Sequence, residues 1–149
     1  MGGSRSSGEL EARQTTLGQT IPTGQIEDGN KAIQVQNAVE NRIDSLINRI
    51  QTDDNYNISR KEIGDMTKGL NNIERYMNNQ MAEEYPNPYQ YSPQEEARMA
   101  EHNDNINKET GKLTDASNAL YNIGSHNSGT LALNDLREAR NILKDVKMP

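Results

Sequence analysis

The stretch Gln51-Thr-Asp-Asp-Asn-Tyr-Asn-Ile-Ser-Arg-Lys-Glu62 sets oxygen-bearing side chains at every second position. Counted as a twelve-residue loop, it has Asp53 at position 3, Asn55 at 5, Asn57 at 7, Ser59 at 9 and Glu62 at 12. Such spacing suits a hard cation. Calcium takes roughly six to eight oxygens in a flexible cage, and a closing glutamate can supply two of them from the first turn of the helix that follows. A loop begun at Asp53 instead reads Asp-x-Asn-x-Asn and offers nearly the same oxygens.

A second stretch, Gly124-Ser-His-Asn-Ser-Gly-Thr-Leu-Ala-Leu-Asn-Asp135, falls in the same register. Gly129 stands at position 6, where the chain must turn sharply, Leu131 at position 8 and Asp135 at position 12. The flanks agree. Ile43, Ile47 and Ile50 precede the first loop at the offsets at which Ala116, Leu120 and Ile123 precede the second, and Ile63, Met66 and Leu70 follow as Leu136, Ala139 and Leu143 do. These offsets put an apolar stripe on the helix entering and the helix leaving each loop.

With both loops and their flanks in view, the chain resembles the EF-hand superfamily, the calmodulin-like proteins in the broad sense. The resemblance implies helix-loop-helix units packed in pairs, with Ile58 and Leu131 in a short strand joining two loops. It also implies calcium as the cofactor, with Asp53, Asn55, Asn57 through its carbonyl, Ser59 and Glu62 as ligands. Gln51 at position 1 and Tyr56 at position 6 depart from the family's pattern, which points to weak affinity. In the second loop Gly124, His126 and Ser128 hold positions 1, 3 and 5, so Ser128 and Asp135 are the doubtful remnants of a site expected to be metal-free. Tyr91-Ser-Pro-Gln-Glu95 mirrors Ile58-Ser-Arg-Lys-Glu62. Residues 84–95 are therefore either a degenerate third unit or a Pro/Tyr-rich linker.

The elements that must position these loops are helical. Apolar residues in steps of three and four predict helices over 31–50, 59–82, 93–123 and 133–146, with Pro93 in a first turn. The polar run 102–111 implies either an interruption of the third or a solvent-exposed stretch of it. Strand signals are confined to the loops, so the expected class is all-α, with about four main helices in EF-hand-like pairs over 30–149. Residues 1–29, rich in Gly, Ser, Thr and Gln without a sustained stripe, are expected to be a flexible tail.

Composition narrows the function. The chain has 149 residues, 32% of them hydrophobic, and a mean hydropathy of −1.00, enough for a modest core. A net charge of −6 argues against nucleic acid as a partner, which calls for a basic footprint. There is no Cys for disulfides or thiolate metal sites. With no membrane-spanning run and no secretory h-region, the expected location is the cytoplasm, or outside the cell by a route without a classical signal peptide. Met-Gly-Gly-Ser-Arg-Ser fits an N-myristoylation pattern with Gly2 as acceptor, so membrane contact is expected only if Gly2 is acylated.

Catalytic readings find little support in the residues. His102 and His126 are the only histidines. His126 lies beside Ser125 and Ser128, but no orienting acid is placed by the sequence, so it reads as a solvated loop residue and the chain as no enzyme. Two function classes follow. One is a calcium-binding or calcium-responsive adaptor acting on a protein partner through a helix rearrangement. The alternative is a non-enzymatic helical structural or interaction protein, part of a virion, a secretion apparatus or a secreted effector, with metal-free loops. A plain helical bundle with accidental loop matches stands in reserve.

Overall fold

Four long helices account for most of residues 20–84 and 91–148, the part of the chain that the computed structural model describes. Helix α1, Gly29–Thr52, opens on Asp28, whose side chain accepts the Lys31 N–H at 2.8 Å. It buries Val35, Val39, Ile43, Leu46 and Ile50, one stripe in steps of three and four. Helix α2, Arg60–Glu84, buries Ile63, Met66, Leu70, Ile73 and Met77 in the same rhythm. Helix α3, Pro93–Asn122, begins at a reciprocal cap: Ser92 accepts from the Glu95 N–H while the Glu95 carboxylate accepts from the Ser92 N–H. Those bonds favour the ionised carboxylate and hold the Glu95 pKa below its ordinary value. A 3-10 turn, Ile123–Ser125, leads to helix α4, Gly129–Leu143, which buries Ala132, Leu136, Ala139 and Leu143.

Each helix packs on two others in cyclic order: α1 on α2, α2 on α3, α3 on α4, and α4 back on α1. Among the described residues no close backbone approach joins α1 to α3 or α2 to α4, and the four stripes share one central core. Direction along the closing seam follows from its bonds. Gln36 of α1 donates to the Leu143 carbonyl at 3.0 Å, and Asp44, two turns later, meets Arg140, one turn earlier in α4. The two helices are antiparallel. The architecture is an all-α four-helix bundle, and both interhelical loops with chemistry lie at one end of it.

Three expectations are sharpened by the structure. The tail over 1–29 does not extend to 29: Ile21 and Ile26 are buried, and Asn72 donates to the Thr23 carbonyl at 3.1 Å. Two isolated isoleucines make no helical stripe, so periodicity could not find them, yet both join the core, Ile21 where α1 meets α2 at Gly69. Residues 1–19, with Gly2, lie outside the described part, as do 85–90 of the proposed third unit. The polar middle of α3 is unbroken helix, with Ile106 and Glu109 buried. Glu109 is satisfied across space: its Oε1 accepts the Lys147 N–H at 2.8 Å and its carboxylate meets Lys112 at 3.2 Å. The last helix ends at Leu143, and the segment after it is a strap held by buried Val146 and by Lys112 on the Asp145 carbonyl at 2.9 Å. No helix among the described residues is long and apolar enough to cross a membrane.

The α1–α4 seam carries an ion-pair fork. Arg140 Nη1 lies 2.9 Å from Glu40 Oε2, and Arg140 Nε lies 2.9 Å from Asp44 Oδ1. Burial nevertheless raises the Glu40 pKa above its ordinary value; Arg140 opposes that shift and Asp44 adds to it. A raised carboxyl pKa means the folded state holds the proton more tightly than the unfolded chain does. The stabilisation from protonated Glu40 is complete below the unfolded value near 4.5 and is lost as pH rises through the higher folded value. Glu40→Gln should therefore melt no earlier than the parent at neutral pH, with any advantage vanishing in acid. Thermal melts of both chains across that range test it.

Candidate functional site: the two interhelical loops

The first loop is built by turns. The Asp53 N–H ends α1 by bonding the Arg49 carbonyl at 2.9 Å, and its own carbonyl accepts the Tyr56 N–H at 3.0 Å. Asp53 Oδ1 accepts the Asn55 N–H at 3.0 Å, an Asx turn that occupies one carboxylate oxygen. Asp53, Asp54, Asn55 and Asn57 are all exposed. Ile58 is the reverse, a loop residue only 1% exposed.

Helix α2 then starts on Ser59 and Glu62. The Glu62 N–H donates to Ser59 Oγ at 3.1 Å, while Glu62 Oε1 reaches back to the Ser59 N–H at 3.5 Å and the Ser59 hydroxyl at 3.3 Å. This is the reciprocal cap found at Ser92 and Glu95, so the likeness between Ile58-Ser-Arg-Lys-Glu62 and Tyr91-Ser-Pro-Gln-Glu95 is a shared helix start. The Tyr56 hydroxyl donates to the same Glu62 oxygen at 3.0 Å, and the Arg49 guanidinium lies 5.0 Å from the Tyr56 ring centre. Burial, followed by the charge and hydrogen bond of Glu62, pushes the Tyr56 pKa up to about 12, with Arg49 and Arg42 pulling the other way. Glu62 Oε2 is buried without a hydrogen bond.

Of the five ligands expected from sequence, Ser59 and Glu62 are brought together, as cap partners. Asp53 is turned toward Asn55. Asn55 leaves its side chain in solvent. Among the described residues no group of three or more His, Asp or Glu gathers closely enough to hold a metal ion.

The second loop closes the same end. Gly129 adopts φ 70°, the left-handed region that a side chain disfavours, and α4 starts there. Leu131 consequently sits in the first turn of α4 and is 60% exposed. The expected Ile58–Leu131 pairing in a strand is replaced by Ile58 with Asn127. The Ile58 N–H donates to the Asn127 carbonyl at 2.8 Å, and the Asn127 side-chain amide donates back to the Ile58 carbonyl at 3.1 Å. The physical reason is the early helix start, which rotates Leu131 off the stripe begun by Ala132.

Ser128 precedes α4 without giving it a side-chain cap. Asp135 meets His126 through Oδ2 and Nε2. Ser125 Oγ lies 3.3 Å from His126 Nδ1. The solvated reading of His126 therefore gives way to a bonded one. Nine residues separate His126 from Asp135, and only the Gly129 turn brings them together. No family model, curated protein or solved structure matches the chain.

Proposed function

We propose that the chain is a helical structural or interaction module that acts on a protein partner through its preformed surface, with loops that serve the bundle rather than a metal. The observation that carries this reading is the use of Glu62. The carboxylate that would close a calcium cage is engaged by Ser59 and Tyr56, one capping α2 and the other seating the loop. The bridge between Ile58 and Asn127 ties that loop to its neighbour through two direct hydrogen bonds. A metal-driven change of helix angle would have to split a core shared by all four helices. Tyr121 and Leu131, 55% and 60% exposed on the helices that flank the second loop, are apolar groups available to a partner.

A calcium-responsive adaptor is the second reading, favoured by one observation: Glu62 Oε2 is buried without a hydrogen bond on a loop that also carries Asp53 and Asp54. Calorimetric titration of the chelator-treated chain, with thermal melts, separates the two. The expected result is no calcium heat at millimolar metal and an unchanged Tm. Ser59→Ala should lower stability by about 0.5–2 kcal/mol through loss of the cap, with or without calcium. Binding at roughly 10⁻⁵ to 10⁻³ M that Glu62→Gln abolishes would install the calcium reading instead.

A further inference from the structure

Ser125, His126 and Asp135 lie in series at the loop end of the bundle: His126 Nε2 meets Asp135 Oδ2 and Nδ1 lies 3.3 Å from Ser125 Oγ, whose own proton goes to the Asn122 carbonyl. Each is placed by a different piece of backbone. Ser125 ends the 3-10 turn, His126 follows it, and Asp135 projects from the second turn of α4. The Asp135 side chain is 16% exposed and that of His126 31%, whereas Ser125 faces solvent. In the tautomer that donates Nε2–H to the Asp135 carboxylate, Nδ1 is left as an acceptor facing the serine hydroxyl. A nucleophile, a base and a group that orients the base are thus in series.

Beyond the interaction role, we propose that Ser125 is an activated nucleophile that is acylated by small esters bearing good leaving groups. As Ser125 Oγ bonds to the acyl carbon, His126 Nδ1 takes its proton and Asp135 holds the resulting imidazolium. The carbon–oxygen bond to the leaving group then breaks and His126 returns the proton to the departing oxygen. The products are an acyl-serine and an alcohol or phenol, and no oxidant, reductant or metal enters. Water, deprotonated by the same nitrogen, can release the acid in a second step and restore the serine. Before attack the Ser125 hydroxyl swings away from the Asn122 carbonyl, 3.0 Å from Oγ, toward Nδ1. Exposure of Ser125 sets the substrate class: a compact acyl group reaches it freely, and a good leaving group compensates for the open surroundings.

The test uses the full chain and p-nitrophenyl acetate, read by nitrophenolate release and by peptide mass spectrometry. The expected result is one acetyl group on Ser125. Ser125→Ala should abolish that adduct, and His126→Gln and Asp135→Asn should slow its formation about tenfold or more. Because Ser125 is exposed, Ser125→Ala should keep the parent Tm, which separates loss of the nucleophile from loss of the fold. Acetyl groups confined to lysines or the N-terminus would overturn the proposal. So would equal Ser125 labelling in the parent and in a folded Asp135→Asn chain.

Discussion

Ile58→Ala lowers the unfolding free energy by about 2–4 kcal/mol, while Leu131→Ala changes it by less than about 0.5 kcal/mol. Both residues hold position 8 of their loops, so register alone would make them equivalent. Burial makes them different. Ile58 is 1% exposed and belongs to the common core, and its removal leaves a void that two hydrogen-bonded loops cannot easily collapse to fill. Leu131 is 60% exposed in the first turn of α4 and leaves no void. Urea unfolding of the two single variants and the double variant provides the measurement. The double variant should show the sum of the single effects, because the residues do not touch. Equal losses at the two positions, with strong coupling, would restore the strand pairing that the structure replaces.

Gly69→Val costs about 1–3 kcal/mol, although glycine is a poor helix residue. A Cβ at position 69 would lie 3.1 Å from Ile21 Cγ2, 3.1 Å from Val39 Cγ2 and 3.3 Å from Val35 Cγ1. Here α1, α2 and the segment before α1 meet at one point, and the absence of a side chain lets them do so. Alanine places one carbon in that space, so its gain of roughly 1 kcal/mol in helix propensity is offset by the displacement of its neighbours, and Gly69→Ala should fall close to the parent. Valine adds two further methyls and has nowhere to put them. Ile21 lies outside the helices and is the partner best able to withdraw, so Ile21→Ala in the Gly69→Val chain should recover part of the loss. Denaturant midpoints of the four chains test this. A neutral Gly69→Val would mean that Ile21 does not occupy its seat.

Periodicity made the helices readable because one stripe of apolar residues must face one core. The steps from Ile63 to Met77 and from Val39 to Ile50 are the clearest cases. The start of α2 was ambiguous for a physical reason. A carboxylate three residues after a serine can close around a cation or cap the helix it begins, and both arrangements put Glu62 in the first turn. Ser92 and Glu95 repeat the Ser-x-x-Glu spacing and cap the next helix in the same way. Leu131 was misplaced because α4 begins before its apolar stripe does. His126 with Asp135, Lys147 with Glu109 and Ile21 with Gly69 join residues whose proximity depends on turns and tertiary packing, which no periodic pattern encodes.

The cyclic order of the helices concentrates the entropy of closure in one place. Between α1 and α2 the chain has seven connecting residues, from Asp53 to Ser59, so that hairpin closes over a short distance. The seam between α1 and α4 joins Glu40 and Asp44 to Arg140, groups 100 and 96 residues apart in sequence. For a flexible chain the closure cost grows as the logarithm of length, which makes bringing those two helices together about 2 kcal/mol more costly than closing the hairpin. Once α1–α2, α2–α3 and α3–α4 have formed, however, α4 is already carried around beside α1 and most of that cost has been met in short steps. The ring of neighbours thus turns one long-range encounter into three local ones, and the Arg140 fork with the Gln36 bond fixes a seam that the other three have already brought within reach.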